Sequence, residues 1–146
     1  MMRRLLVALC SLLVVAPALA SDYRSVAVPA AILYDAPSQK AKKLYLMRAQ
    51  TPVEVVVRLE GWVKVRDAEG TLAWLEAAQL AEKRTLIVLA ERAELRQADR
   101  DDAPVIARME KWLVVDYLAP AAPGWIQVRH RDGLTGFVRS TQVWGA

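Results

Sequence analysis

Residues 61–80 read GWVKVRDAEGTLAWLEAAQL, and residues 124–143 read GWIQVRHRDGLTGFVRSTQV. The two stretches align without a gap at an offset of 63 residues, and six of their twenty positions are identical. Most of the other positions keep their character, as where Trp74 aligns with Phe137. Such an alignment in so short a chain indicates an internal repeat. We therefore expect two copies of one structural unit.

The sequence within each copy has the pattern of short β-strands. Val-rich segments such as 52–59 and 61–66 are separated by turn residues, as in an all-β domain. Glu69-Gly70 and Asp132-Gly133 each lie between two strand-like runs, which predicts a hairpin. The stretch 77–82 is predicted to form a single turn before a final strand. Units of about 60 residues with five or so strands each are expected to close as small barrels, because closure hides strand edges.

The start of the chain has the three parts of a secretory signal peptide. Arg3 and Arg4 precede an apolar run over 5–15, and the small residues of 17–20 follow it. This order of charged, apolar and small residues is typical of an export signal cleaved after Ala20. The apolar run is too short for a bilayer core, which takes about 20 residues. We expect an exported protein, periplasmic or secreted, with no stable membrane span after cleavage.

The predicted organisation is a signal peptide at 1–20, a first domain at 21–83 and a second domain at 84–146. The boundary falls in a short charged hinge without Gly or Pro, so the two units are expected to touch. Residues 21–83 carry nine basic and eight acidic side chains, and residues 84–146 carry the same numbers. A nucleic-acid binder usually concentrates its cations on one segment or face. No nucleic-acid partner is therefore expected.

The residue inventory argues against catalysis and against a bound metal or cofactor. Cys10 is the only cysteine and lies inside the apolar run, and His130 is the only histidine. Disulfides, thiolate metal sites and cysteine nucleophiles are thereby excluded from the mature chain. A hydrolase would have to use carboxylates alone, such as Asp101 with Asp102 or Glu69, and no spacing supports that mechanism. No catalytic residue, metal ligand or cofactor is predicted.

Strand alternation identifies candidate ligand contacts. In each copy the two aliphatic residues after the Trp share one face, which leaves the Trp and the Arg four residues later on the other. A partly exposed Trp beside an Arg suits a peptide or a sugar ring. The alternative is that each indole lies flat over a neighbouring loop and closes the barrel rim. Trp112 has no aromatic counterpart near Gln50 and Thr51, so it could mark a patch special to the second copy. The candidates from this reasoning are Trp62, Arg66, Trp125, Arg129 and Trp112.

The Gly-Trp-x-x-Val-Arg motif, followed by a later Gly and a small–aromatic–aliphatic triplet, resembles the bacterial SH3 family. The second copy fits well at 95–96, 113–115, 124–129 and 133–138. The first copy departs from the pattern, with Ala73 at the last Gly and Tyr34 in place of Arg. The resemblance covers about residues 23–145. It implies a cell-envelope targeting or scaffolding module, of the kind often found beside peptidoglycan hydrolases.

Tyr34 is the sixth candidate contact. Leu33-Tyr34-Asp35 resembles the Ala-Leu-Tyr-Asp-Tyr stretch of eukaryotic SH3 domains, which bind proline-rich peptides. Ala36 replaces the second Tyr, and the completing Pro-x-x-Tyr is absent at 76–79, so proline-peptide binding is not expected. The favoured function is a non-catalytic exported module that recognises peptidoglycan peptides or a protein partner. The alternative is a structural or assembly protein acting through barrel–barrel packing or homodimerisation.

Overall fold

The computed structural model describes residues 20–146, and apart from Ala20 the predicted signal peptide lies outside the described residues. The described chain folds into two seven-stranded antiparallel sheets in tandem. The predicted all-β class with two copies of one unit is confirmed. The first sheet, called barrel 1, has the strand order β3-β2-β6-β5-β4-β1-β7. Its strands are β1 (Asp22–Val26), β2 (Ala30–Tyr34), β3 (Lys43–Arg48), β4 (Pro52–Leu59), β5 (Trp62–Arg66), β6 (Leu72–Glu76) and β7 (Leu80–Ala81).

The second sheet, called barrel 2, repeats this topology with the order β10-β9-β13-β12-β11-β8-β14. A 3-10 turn precedes the last strand of each barrel, at Ala77–Gln79 and at Ser140–Gln142. The turn predicted within 77–82 is thus confirmed, although each barrel has seven strands rather than five or so. The strands of barrel 2 are β8 (Thr85–Val88), β9 (Arg92–Arg96), β10 (Val105–Glu110), β11 (Val114–Pro120), β12 (Trp125–Arg129), β13 (Thr135–Arg139) and β14 (Val143–Trp144).

Each barrel has its own apolar core, built from the inward positions of alternating strands. In barrel 1 the side chains of Leu33, Val63, Val65 and Leu75 are almost completely buried. Burial of one such aliphatic side chain contributes about 1.5–3 kcal/mol. The partly buried residues between them point to the opposite surface. The fold therefore fixes which side chains of β5 and β6 are available to a ligand.

The predicted β5–β6 hairpin owes its geometry to Asp67 and Gly70. The Asp67 carboxylate accepts hydrogen bonds from the backbone N–H groups of Glu69 and Thr71, at 3.0 and 2.9 Å. Gly70 has φ of +88°, in the left-handed region that favours glycine. Gly133 has the same role in the β12–β13 hairpin, with φ of +93°. The Gly at this repeated position is explained by the backbone conformation alone.

The two barrels touch, as the short hinge predicts. The Thr85 hydroxyl of barrel 2 donates to the Gln50 carbonyl of barrel 1 at 2.7 Å. Tyr23 of barrel 1 contacts Trp144 of barrel 2, with ring centroids 5.3 Å apart. Arg84 stacks near the Tyr23 ring and near the Tyr117 ring of barrel 2. The hydrogen bond, the edge-to-face ring pair and the cation–π contacts of Arg84 hold the barrels against each other.

Residues 20–146 contain no helix with the length and apolar character that crossing a membrane requires.

Candidate functional site

The predicted alternation on β5 is present. Val63 and Val65 are buried, and Trp62, Lys64 and Arg66 lie on the outer surface. Trp74 on β6 joins them, because it pairs in register with both Lys64 and Tyr34. We call the surface formed by Tyr34, Trp62, Lys64 and Trp74 the aromatic face. Three neighbouring strands therefore hold three aromatic rings and one cation together.

The rings of the aromatic face support one another. Tyr34 and Trp62 meet edge to face, with ring centroids 5.5 Å apart and planes at 83°, an arrangement that aromatic rings favour. The Lys64 Nζ atom lies 6.0 Å from the centre of the Trp74 ring, at the outer limit of a cation–π contact. Trp62 and Trp74 are partly buried, whereas Tyr34 is only 7% exposed. Tyr34 therefore supports Trp62 and offers little surface of its own.

The Trp residue of the equivalent face in barrel 2 is covered. Trp125 is only 6% exposed, so the expectation of a partly exposed indole is wrong there. The Arg139 guanidinium carbon lies 4.4 Å from the centre of the Trp125 ring, and Arg139 also pairs with Asp101. The residue aligned with Arg139 in barrel 1 is Glu76, whose carboxylate hydrogen-bonds Gln39 instead. The burial of Trp125 under Arg139 favours a packing role over a ligand contact at this position.

The two predicted arginines have equivalent internal partners. Arg66 Nη1 lies 2.6 Å from Glu54 Oε2, and Arg129 Nε lies 3.7 Å from Asp116 Oδ2. Asp116 also pairs with Lys83 at 3.0 Å. Arg66 and Arg129 have side-chain exposures of 43% and 50%. Each guanidinium therefore balances a carboxylate of a neighbouring strand, so a ligand would have to share it.

Trp112 lies apart from both faces. Its φ is +72°, a rare value for a bulky residue. Gln50 has φ of +66°, and both backbone N–H groups donate to equivalent carbonyls, of Val88 and Val26. Gln50 is therefore the structural counterpart of Trp112. The indole is 46% exposed and lines a cleft between the barrels, together with Tyr45 and other residues that the sequence did not single out.

The carboxylates considered for hydrolysis are not gathered into one site. Asp101 pairs with Arg139, Asp102 pairs with Arg100, and Glu69 lies on a different barrel. The backbone N–H of Leu134, together with the neighbouring His130, holds the pKa of Asp132 below its usual value. Within residues 20–146 no three His, Cys, Asp or Glu side chains are grouped so as to hold a metal ion. Carboxylates paired with arginines suit structural roles.

Two small barrels, each carrying a Gly-Trp strand and a Gly-centred hairpin, define the class of tandem SH3-like proteins. The family model described as bacterial SH3 domain matches residues 27–82 and again 90–145. The chain belongs to the bacterial SH3 domain family.

Comparison with solved structures found similar chains of greater length. NlpC2 from Trichomonas vaginalis is 11% identical, with a TM-score of 0.39 over 87% of this chain and 49% of that one. An NlpC/P60 family protein from Bacillus cereus is 16% identical, with a TM-score of 0.38 over 84% of this chain and 55% of that one. The chain thus spans about half the length of these structures. No curated protein matches it.

Proposed function

We propose that this protein is a non-catalytic, exported binding module of the cell envelope that recognises peptidoglycan peptides or a protein partner through the aromatic face. The observation that carries the proposal is the partial exposure of Trp62 and Trp74 on the same face as Lys64. Aromatic side chains supply contact area at little entropic cost, and an adjacent ammonium can pair with a ligand carboxylate. Stem peptides of peptidoglycan offer both apolar groups and carboxylates.

The difference between the barrels supports placing the ligand on barrel 1. On barrel 2 the surface of Trp125 is already occupied by Arg139. On barrel 1 the Trp62 ring has Tyr34 at its edge and keeps part of its surface free. A ligand on barrel 1 would bury indole surface that water now contacts, which is favourable. A ligand on barrel 2 would first have to displace a stacked guanidinium.

The experiment is a pull-down of residues 21–146, the chain left by the predicted cleavage after Ala20, with purified sacculi, followed by titration with soluble stem peptides. Changing Trp62→Ala or Trp74→Ala should weaken binding about tenfold or more, equal to 1.4 kcal/mol or more. Lys64→Gln installs the residue that barrel 2 has at the equivalent position, Gln127, and should weaken binding of acidic peptides selectively. Binding indifferent to all three changes would exclude the aromatic face as the site.

The matched control is Trp125→Phe, which keeps an aromatic ring beneath Arg139. This variant should bind like the unchanged protein, because Trp125 is already covered. Circular dichroism of each variant distinguishes loss of the site from loss of the fold. A retained fold with no binding to sacculi would instead direct the search to exported protein partners, by cross-linking at a benzophenone side chain placed at position 62.

The assembly alternative predicts a different result. A structural protein acting by homodimerisation would elute as a dimer at micromolar concentration. The sheet edge at β3 is the place to look, because Leu44 and Leu46 are 40% and 65% exposed there. Lys43 and Arg48 lie at the two ends of β3, and charges on an edge strand oppose pairing with another chain. We therefore expect a monomer by light scattering.

A further inference from the structure

The cleft between the two barrels is separate from the aromatic face. It encloses about 400 Å³, and its walls include Tyr45, Asp67 and Glu69 of barrel 1 with Ile87 and Trp112 of barrel 2. A groove of about 290 Å³ adjoins it, lined by Arg48, Arg131 and others. Thr51, Ile87 and Trp112 belong to both spaces. The exposed indole of Trp112 therefore stands between an acidic space and a basic one.

The acidic side of this site has a defined geometry. Tyr45 donates its hydroxyl hydrogen to Asp67 Oδ2 at 2.8 Å, while Asp67 Oδ1 is fixed by two backbone N–H groups. Burial raises the pKa of the Tyr45 hydroxyl, and the hydrogen bond to Asp67 and the negative charges of Asp67 and Glu69 raise it further. In the described part of the chain, neither Asp67 nor Glu69 forms an ion pair with Lys or Arg. A ligand cation would find two uncompensated carboxylates here.

The basic side has the complementary character. Arg48 and Arg131 are both exposed, and among residues 20–146 neither is within ion-pair distance of a carboxylate. Most other arginines of the described chain have such a partner, including Arg24, Arg58 and Arg66. Guanidinium groups form bidentate hydrogen bonds with carboxylates. The groove is thus suited to a carboxylate of the ligand.

The Trp112 ring already contacts one ammonium group, that of Lys111. Lys111 Nζ lies 5.2 Å from the centre of the indole, and its charge is balanced by Glu91 at 3.0 Å. The charge of Lys111 is therefore compensated outside the cleft. The backbone of Trp112 is in the left-handed region, which is strained for a Trp residue.

We propose that the inter-barrel cleft binds a zwitterionic amino-acid group, with its ammonium at Asp67 and Glu69, its carboxylate at Arg48 and Arg131, and its apolar part against Trp112 and Ile87. This site goes beyond the proposed function, because it uses no residue of the aromatic face. Carboxylates that line one space and guanidinium groups that line the adjoining one suit a ligand that carries both signs of charge. A free amino acid or a peptide end bearing a diamino acid has that chemistry.

The test is an NMR titration of the protein comprising residues 21–146, using three probes: norleucine, N-acetylnorleucine and norleucine amide. Norleucine should shift the Trp112 indole N–H resonance. The acetylated probe lacks the ammonium and the amide lacks the carboxylate, so each should bind at least about fivefold more weakly, a difference of about 1 kcal/mol. Equal binding of the three probes, or no shift at Trp112, would overturn the proposal.

Two double variants test which residues bind the ammonium group of the ligand and which bind its carboxylate. Asp67→Asn with Glu69→Gln should remove the preference for norleucine over its acetylated form, and Arg48→Gln with Arg131→Gln should remove the preference over its amide. Trp112→Gln installs the residue of the equivalent barrel 1 position and should weaken norleucine binding about tenfold. Asp102→Asn, which removes a charge distant in sequence and outside the cleft lining, should leave binding unchanged.

Trp62→Ala separates this proposal from the proposed function. It should weaken binding to sacculi while leaving the norleucine titration unchanged. If norleucine binding falls with Trp62→Ala and persists with Trp112→Gln, the inter-barrel site is excluded. If norleucine fails to bind while sacculus binding still depends on Trp62, only the proposal for the cleft is lost.

Discussion

The outer faces of the two barrels start from the same motif and reach different surfaces. Trp62 and Trp125 occupy equivalent positions on equivalent strands, each opposite the last residue of the next strand. In barrel 1 that residue is Glu76 and the indole stays partly open, whereas in barrel 2 it is Arg139 and the indole is covered. The repeat thus preserves the position of the Trp but not its accessibility.

The difference shows which positions of a duplicated fold are free to acquire a function. The core positions of the two copies carry similar aliphatic residues, because both barrels must fill similar interiors. Outer positions are free to vary, and the change from Tyr34 to Arg96 accompanies the change from Glu76 to Arg139. Arg96 donates to the carbonyls of Asp101 and Ala103, which fixes the loop that supplies the partner of Arg139. These contacts of Arg96 and Arg139 account for the covered Trp of barrel 2.

The largest expected difference between the two barrels is in the stability that is lost when each of the equivalent indoles is removed. Trp125→Ala should lower the free energy of unfolding by about 3–4 kcal/mol, because a nearly buried Trp leaves a cavity. Trp62→Ala should lower it by about 1–2 kcal/mol, because part of that ring is already in water. Urea denaturation followed by circular dichroism measures both values. Equal losses would mean that Trp62 is as much a packing residue as Trp125.

The next largest effect on stability is expected where the repeat has Gly136 in barrel 2 and Ala73 in barrel 1. A Cβ atom added at Gly136 would lie 2.7 Å from the Arg96 carbonyl oxygen and from Leu95 Cγ. Gly136→Ala should therefore destabilise the protein by about 2–3 kcal/mol, as overpacking does. The equivalent residue, Ala73, is already accommodated in the core of barrel 1. Ala73→Gly should cost only about 1 kcal/mol, and a larger loss for Ala73→Gly than for Gly136→Ala would contradict this reading of the two interiors.

The sequence predicts the fold well because the signals that define it are local. The repeat, the Gly-centred hairpins and the alternation on β5 depend on residues close together in the chain, and all three are present in the structure. Accessibility depends on distant residues instead. Trp125 is covered by Arg139, and Arg139 is anchored by Asp101, 38 residues away in sequence. The cleft is even harder to predict from the sequence, because Tyr45 and Trp112 come to line it only through the contact between the two barrels.

Removing the side chain that covers Trp125 should give barrel 2 a partly exposed indole like that of Trp62 in barrel 1. Arg139→Gln removes the stacked guanidinium and its pairing with Asp101, and should lower the free energy of unfolding by about 1 kcal/mol. The Trp125 indole N–H should then exchange faster with water, as measured by NMR. The control is Arg108→Gln, an exposed barrel 2 arginine away from the ring. Unchanged exchange after Arg139→Gln would show that other residues cover the indole.

The smallest effect is expected at the two left-handed positions that the barrels share. Gln50→Gly should raise the free energy of unfolding by about 0.5 kcal/mol, because relief of about 1–2 kcal/mol of strain exceeds the entropy that Gly adds to the unfolded chain. Trp112→Gly gains the same relief but loses the contact with Lys111, worth about 0.5–1 kcal/mol. Its stability should therefore stay within about 0.5 kcal/mol of the unchanged protein. Thermal denaturation resolves the pair, and a clear loss for Trp112→Gly would assign the indole to packing between the barrels rather than to a ligand.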